Sequence, residues 1–243
     1  MEPRDRAAPY HSEGLHGRLV HQLGREIVTG RLPAGGSLPT EEQLVRSFGS
    51  SRSAVREATK VLVAKGLVLS RRKVGTIVQP ESAWNLLDPD VLAWRYEDEP
   101  SSLHLDHLAQ MRVVIEPEAA RMAARARKRS AARAIRESYH RMEETVHDSD
   151  EFILHDLAFH RAVIEAGGNQ LLVHLHAVLE VALAAARQVH TRNVRRNRRS
   201  LPAHKAVLEA ILARDGDAAA DLMRQVVTNA HHDIRRERRA ATK

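Results

Sequence analysis

Residues 40–78 read TEEQLVRSFGSSRSAVREATKVLVAKGLVLSRRKVGTIV, and the order of signals along them decides the fold. Thr40 stands where a helix N-cap belongs, with Gln43 three residues later as its capping-box partner. The helix it opens is short, about Glu41 to Ser47. Phe48-Gly49-Ser50 makes a tight turn, and Ser51 caps a second helix with Val55, Ala58, Thr59, Leu62 and Val63 on one side. Gly66 stops it. Two short apolar or β-branched runs follow, Leu67–Ser70 and Thr76–Val78, joined by a basic hairpin tip of Arg71, Arg72, Lys73, Val74 and Gly75. Upstream, Leu15, Leu19, Leu23, Ile27 and Val28 recur at helical spacing until Gly30, and RLPAGGSLP (31–39) reads as loop. Helix, short helix, tight turn, longer helix and basic hairpin make a winged helix-turn-helix.

The chemistry of that unit points to DNA. The second helix of such a pair lies in the major groove and presents its first residues to base edges. Here these are Ser51-Arg52-Ser53-Ala54-Val55-Arg56, and Arg52 and Arg56, four apart, share a face. Arginine is the usual bidentate partner of guanine. Ser51, Ser53 and the helix N-terminal amides suit phosphate oxygens. Arg71, Arg72 and Lys73 suit phosphate or minor-groove contact, and Gly75 lets the hairpin turn sharply. The plainer alternative is a small helical bundle with solvated arginines; the ordered set of caps, turn and basic hairpin weighs against it.

Composition agrees. Of 243 residues, 43% are hydrophobic and only 3% aromatic, a balance that favours helices around real cores. Cysteine is absent, which excludes disulfides and thiolate metal sites. The net charge is +7, and residues 1–80 hold 13 Lys and Arg against 7 Asp and Glu, so nearly all the excess lies in the first third. A basic module joined to a nearly neutral one suits a nucleic-acid reader with a separate sensing domain. No signal-peptide pattern opens the chain and no apolar run approaches about 18 residues, so a cytoplasmic protein without membrane contact is expected.

The expected division is a flexible tail over 1–13, the reader over 14–80, a linker over 81–100 and an all-helical domain over 101–240. The linker carries Pro80, Pro89, Pro100 and both tryptophans, and is apolar enough to pack against a domain. Helices are expected near 102–127, 130–147, 150–167, 170–191, 200–214 and 216–238, with Pro117 kinking the first. The run Arg192, Arg195, Arg196, Arg198 and Arg199 is expected to be a solvated basic loop ending at Pro202. The fold class is therefore mainly α: a winged helix-turn-helix followed by a helical bundle.

The reader stretch resembles the GntR family of transcription regulators. The resemblance rests on Pro39-Thr40-Glu41, Ser51 through Ala58, Leu62 to Val68 and Gly75-Thr76, and covers roughly residues 15–80. It implies operator contacts by Arg52, Ser53, Arg56 and Gly75. Fatty-acid-type members place an arginine early in the short helix, where this chain has Glu42. The helical remainder resembles the FadR branch with its FCD effector domain, whose hallmark is Asp-x-x-x-His followed by a later His. Asp156, His160 and His204 match it, with Gly167-Gly168-Asn169 between them. The resemblance implies a divalent ion on these three residues, zinc first, with nickel or manganese as alternatives; a carboxylate and two imidazoles suit such ions. Fifteen histidines also make an Asp–His pair at helical spacing common by chance. Many FCD domains add a histidine where this chain has Val226, with Asn229 about one turn on. Arg112 matches a family arginine that faces the effector, although a salt bridge with Glu116 is the competing reading. Arg112, Asn169 and Asn229 are the effector-binding candidates, while His174, His176, His231 and His232 read as core-edge or surface residues. The segment Trp84 to Trp94 resembles that of galactonate-type repressors, which implies a sugar-acid effector.

Together these features predict a homodimeric repressor that binds a palindromic operator and answers to a small carboxylate. Two readings compete: a metal-dependent enzyme acting on a small carboxylate, and a nucleoid protein without sequence preference. No general base, nucleophile elbow or phosphate loop supports the first.

Overall fold

The computed structural model describes residues 14–97, 101–126, 129–190 and 194–241, so the tail over 1–13, Arg192 and the end of the expected linker lie outside the described residues. The chain forms two compact units, residues 1–98 and 99–243. Ten α-helices and one small sheet make it mainly α among the described residues. None of these helices is long and apolar enough to cross a membrane.

The first unit is built from α1 (Gly14–Val28), α2 (Glu41–Phe48), α3 (Arg52–Ala64), β1 (Val68–Arg71), β2 (Gly75–Val78), a 3-10 turn (Glu81–Ala83) and α4 (Pro89–Glu97). Leu19, Leu23 and Ile27 of α1 bury against Val55, Ala58 and Leu62 of α3, while Leu15 is exposed. The capping box forms as expected: Gln43 N–H donates to Thr40 Oγ1 at 3.3 Å, and Thr40 N–H donates to Gln43 Oε1 at 2.8 Å. Gly49 ends α2 at φ +58, and Ser51 Oγ accepts from Ala54 N–H at 3.2 Å to open α3. β1 and β2 pair antiparallel, Val68 opposite Val78 through Arg71 opposite Gly75. Gly75 closes the hairpin at φ +104, a backbone only glycine adopts freely. The loop before α2 adds an edge missed in the sequence: Leu38 N–H donates to Thr76 O at 2.8 Å and Val78 N–H to Gly36 O at 2.9 Å.

The described part of the expected linker, residues 81–97, packs into the first unit. Pro89 begins α4, where its missing N–H breaks no helix bond. Trp94 is buried against α1 and its Nε1 donates to His21 Nδ1 at 2.8 Å. Lys65, at the end of α3, is held by Asp88 at 2.8 Å and Asp90 at 2.5 Å. Gly24 makes room for the Trp94 ring, because a Cβ there would lie 2.2 Å from it. Alanine improves helix propensity by about 1 kcal/mol over glycine, but overpacking costs about 1–3 kcal/mol. The clash wins, and Gly24→Ala should destabilise this unit by about 1–2 kcal/mol. Both tryptophans lie in this unit, so urea unfolding followed by their fluorescence reads it alone.

The second unit consists of α5 (Ser102–Arg125), α6 (Arg129–Glu144), α7 (Ser149–Ala166), α8 (Gln170–His190), α9 (Val194–Leu212) and α10 (Gly216–Ala241). Ser101 and Asp148 cap α5 and α7 with their side chains. The core gathers Ala120, Ala124, Ile135, Met142, Phe159 and Met223 from α5, α6, α7 and α10. The small alanines let α10 lie along α5. One expectation fails: the run Arg195 to Arg199 is helical, because α9 starts at Val194 and continues through Pro202.

Candidate DNA-reading surface and metal centre

The reading surface follows from how α3 is rotated. Val55, Ala58 and Leu62 face inward, so Arg52, Ser53, Arg56 and Lys60 face solvent. Arg71, Arg72, Lys73 and Gly75 are also exposed, at the hairpin tip. Two acidic residues of α2 hold the arginines of α3. Arg56 Nε donates to both Glu41 oxygens, at 3.0 and 3.2 Å, and this contact raises its already high pKa. Arg52 lies 3.8 Å from Glu42, the residue that departs from the fatty-acid-type pattern. Ser51 and Ser53 bridge their hydroxyls at 2.9 Å. The surface thus presents two guanidinium groups, each with a neighbouring carboxylate.

The candidate metal centre lies inside the second unit. Asp156 and His160 are one turn apart on α7, and His204 comes from α9; all three are buried. Their ligand atoms gather within 4.8 Å of one another. Asp156 Oδ1 is 3.2 Å from His204 Nε2 and Oδ2 is 3.8 Å from His160 Nε2. Ligands placed about 2.0–2.1 Å from a tetrahedral ion stand about 3.4 Å apart, which these separations bracket.

The tautomers can be derived. His204 Nδ1 is 2.9 Å from the Ser200 carbonyl, which only accepts, so Nδ1 carries the proton and Nε2 is a bare lone pair. His160 Nδ1 lies 2.7 Å from Glu116 Oε2, while Arg112 Nη2, which only donates, sits 3.3 Å from His160 Nε2. Arg112 thus makes Nε2 the acceptor, and Nδ1 meets Glu116 as a close charge contact outside hydrogen-bond geometry. Both Nε2 lone pairs therefore converge on the Asp156 carboxylate, and His204 Nε2 has no hydrogen-bond partner. Arg112 already donates to His160 Nε2, whereas His204 Nε2 faces the Asp156 carboxylate with no proton between them, a place that a cation fills well. The outer partners, a carboxylate and a carbonyl, are those that orient metal-bound histidines. The residues present fit a divalent ion.

Glu116 is the residue that sequence reading cast only as a salt-bridge partner. It is buried, receives Arg112 Nε at 2.5 Å and Nη2 at 3.2 Å, and faces His160. Burial pushes its carboxyl up, but Arg112 and His160 outweigh that and hold it well below the usual carboxylate range. Burial lowers His160, which favours the neutral ring a metal needs.

The three metal candidates and Arg112 line one cavity of about 410 Å³. Val226 and the exposed Asn229 line it too. Asn169 does not: its Oδ1 accepts from Leu171 and Leu172 N–H at 3.0 and 3.3 Å, making it the cap of α8. His231, expected at the surface, lines the cavity and lies 3.0 Å from Asp106.

His176 is buried, with its pKa pushed down to about 4, chiefly by burial, against the opposing pull of Glu116 and Glu180. Unfolding frees it to bind a proton from about pH 6.5 downward. The stability this neutral ring contributes is therefore complete above pH 6.5 and lost as the pH falls to 4. The loss is about 3 kcal/mol at its limit. Melting followed by circular dichroism should show a steeper acid decline for the wild type than for His176→Phe.

Comparison with known proteins supplies the frame. The FCD domain model matches residues 107–229, and that of the bacterial regulatory proteins, gntR family, matches residues 15–78. The galactonate operon transcriptional repressor of Escherichia coli is 32% identical over 203 residues, covering 83% of this chain and 89% of the relative. YieP, an uncharacterised HTH-type regulator of the same organism, is 33% identical over 83% of this chain and 87% of its own. The repressor NanR of Klebsiella aerogenes is 28% identical over 88% and 83%. Among solved structures, Lar, which controls the Listeria monocytogenes agr system, aligns over 94% of this chain and 99% of its own, with a TM-score of 0.63 at 16% identity. That last likeness concerns the fold alone.

Proposed function

The chain belongs to the gntR family of bacterial regulatory proteins, in the branch that carries an FCD domain, and from that premise we propose a ligand-released repressor of a sugar-acid or related carboxylate operon. It is a DNA-binding transcription regulator and not an enzyme. In this reading Arg52 and Arg56 meet base edges, with Ser51 and Ser53 on phosphates. Arg71, Arg72, Lys73 and Gly75 follow the backbone beside them. The operator is palindromic and the regulator a homodimer, because one short recognition helix reads too few base pairs. Exposed Leu103, Met111 and Val114, at helical spacing on α5, offer a second copy an apolar face.

The observation that carries the sensing half is the buried gathering of Asp156, His160 and His204, with the His204 ring fixed from behind by the Ser200 carbonyl and its Nε2 turned to Asp156. Asp156, His160 and His204 hold a divalent ion, zinc by its donor set. When bound, the ion supplies a positive charge that attracts a carboxylate or hydroxyl oxygen of the effector. Arg112, held in place by Glu116, borders the same cavity, and Asn229 offers an amide on its exposed side. The effector shifts the repressor only if it binds the DNA-free arrangement more tightly.

A thermal-shift panel of sugar acids on the full chain, with zinc or with chelator, tests this. An acid is expected to raise the melting temperature of the zinc-loaded protein alone and to weaken its hold on a duplex it selects from a random pool. Equal stabilisation in chelator would sink the metal half. Unchanged DNA affinity would sink the release.

A further inference from the structure

We propose that Asn197 reads a hydroxyl of the effector two helical turns from the buried histidines, and so selects sugar acids by the length of their carbon chain. This deepens the reading of the site above and rests on it. Of the polar residues lining the cavity, Arg112, Asp156, His160, Asn197 and His204 are buried. Arg112 is occupied by Glu116, while Asp156, His160 and His204 gather on one another. Asn197, only 2% exposed, is held far more loosely. Among the described residues its side chain makes one hydrogen bond: Nδ2 donates to Ser149 Oγ at 3.5 Å, the outer limit of such a bond. The nearby Ser200 hydroxyl already donates to the Asn197 main-chain carbonyl at 2.8 Å. A buried amide on the cavity wall therefore keeps bonding capacity that a ligand can fill.

Two pairs of residues place this amide relative to the histidines. Asn197 of α9 meets Ser149 of α7, and His204 of α9 lies 3.2 Å from Asp156 of α7. The pairs are seven residues apart on both helices, so α7 and α9 run side by side in the same direction. One pair then stands two turns, about 10 Å, from the other. Phe152 and Ile153 of α7 and Ser200 and Ala203 of α9 line the cavity at the levels between them. A metal–oxygen bond of about 2 Å at one end and a hydrogen bond of about 3 Å at the other leave about 5 Å, the span of about five carbons. A hydroxyl both donates and accepts, so it pairs with the amide whichever way the amide is turned. A shorter acid leaves the amide unanswered.

The test uses the full-length, zinc-loaded chain and titration calorimetry with glycerate, threonate, ribonate and galactonate, unbranched acids that lengthen one carbon at a time up to ribonate. Affinity should step up about tenfold between threonate and ribonate and persist in galactonate. Asn197→Leu, close in volume but unable to hydrogen-bond, should remove that step: ribonate and galactonate weaken about tenfold, glycerate and threonate stay as they were. Asn197→Ala should give the same flat series, which frees the test from how leucine packs. A residue that only ties α9 to α7 would instead lower the melting temperature and weaken every acid by one factor. That result, a step that survives both substitutions, or a wild type without a step overturns the inference and leaves the metal site standing. Binding of the acids that is indifferent to chelator and to His160→Ala overturns the metal site, and the inference with it. Failure of all four acids to bind does the same.

Discussion

Glu116→Ala should destabilise the second unit by about 3–5 kcal/mol, because it strands a buried guanidinium. Arg112 and Glu116 are both buried, and the paired nitrogens are 2.5 and 3.2 Å from the carboxylate oxygens. Removing one partner leaves an uncompensated charge in a poorly solvated place, which costs more than the pair itself contributes. The same substitution removes the carboxylate oxygen 2.7 Å from His160 Nδ1. The ring then loses the buried carboxylate beside its Nδ1, and zinc affinity should fall about 10–100-fold. Two readouts separate these effects. Arg112→Met combined with Glu116→Leu removes both charges and should restore most of the melting temperature. It should not restore zinc affinity. If Glu116→Ala binds zinc as tightly as the wild type, Glu116 is a partner of Arg112 and nothing more.

What the sequence revealed, and what it hid, follows from the reach of each interaction. The reader unit was legible because its defining signals are local. The Thr40–Gln43 box, the Gly49 turn and the Ser51 cap each involve residues within three or so of one another. Asp156 and His160 were legible as a one-turn pair, and His204 through resemblance. Glu116 was not seen as an orienting carboxylate because it meets His160 only after α5 and α7 pack together. Helix α4 was hidden by its prolines and by a seat that exists only because Gly24, on another helix, lacks a side chain. The arginine run before Pro202 looked like a solvated loop for want of apolar residues. In the fold, its half-buried face borders the cavity. Asn169, expected from a family motif as a ligand contact, serves as the local cap of α8 and does not line this cavity.

Arg52→Ala and Arg56→Ala should each weaken operator binding far more than any substitution at the hairpin tip. A good bidentate contact to guanine discriminates by about 1–3 kcal/mol, and a twofold dimer makes it twice, so each substitution should cost about 2–6 kcal/mol on the chosen operator. On a scrambled duplex the cost should be small. Arg71→Gln and Lys73→Gln touch no base in this reading; they should weaken both duplexes alike and reduce the salt slope by about one unit per lost phosphate contact. Fluorescence anisotropy on both duplexes at several salt concentrations separates the two patterns. Glu41 gives an internal control, because its carboxylate holds Arg56 before DNA arrives. Glu41→Gln removes a negative charge near the phosphates and should tighten binding to scrambled DNA. It also frees the Arg56 fork to wander, and should narrow the gap between operator and scrambled duplex. A uniform loss for Arg52→Ala and Arg56→Ala on both duplexes would mean that α3 reads charge and not sequence. Specificity would then have to come from the shape of the DNA.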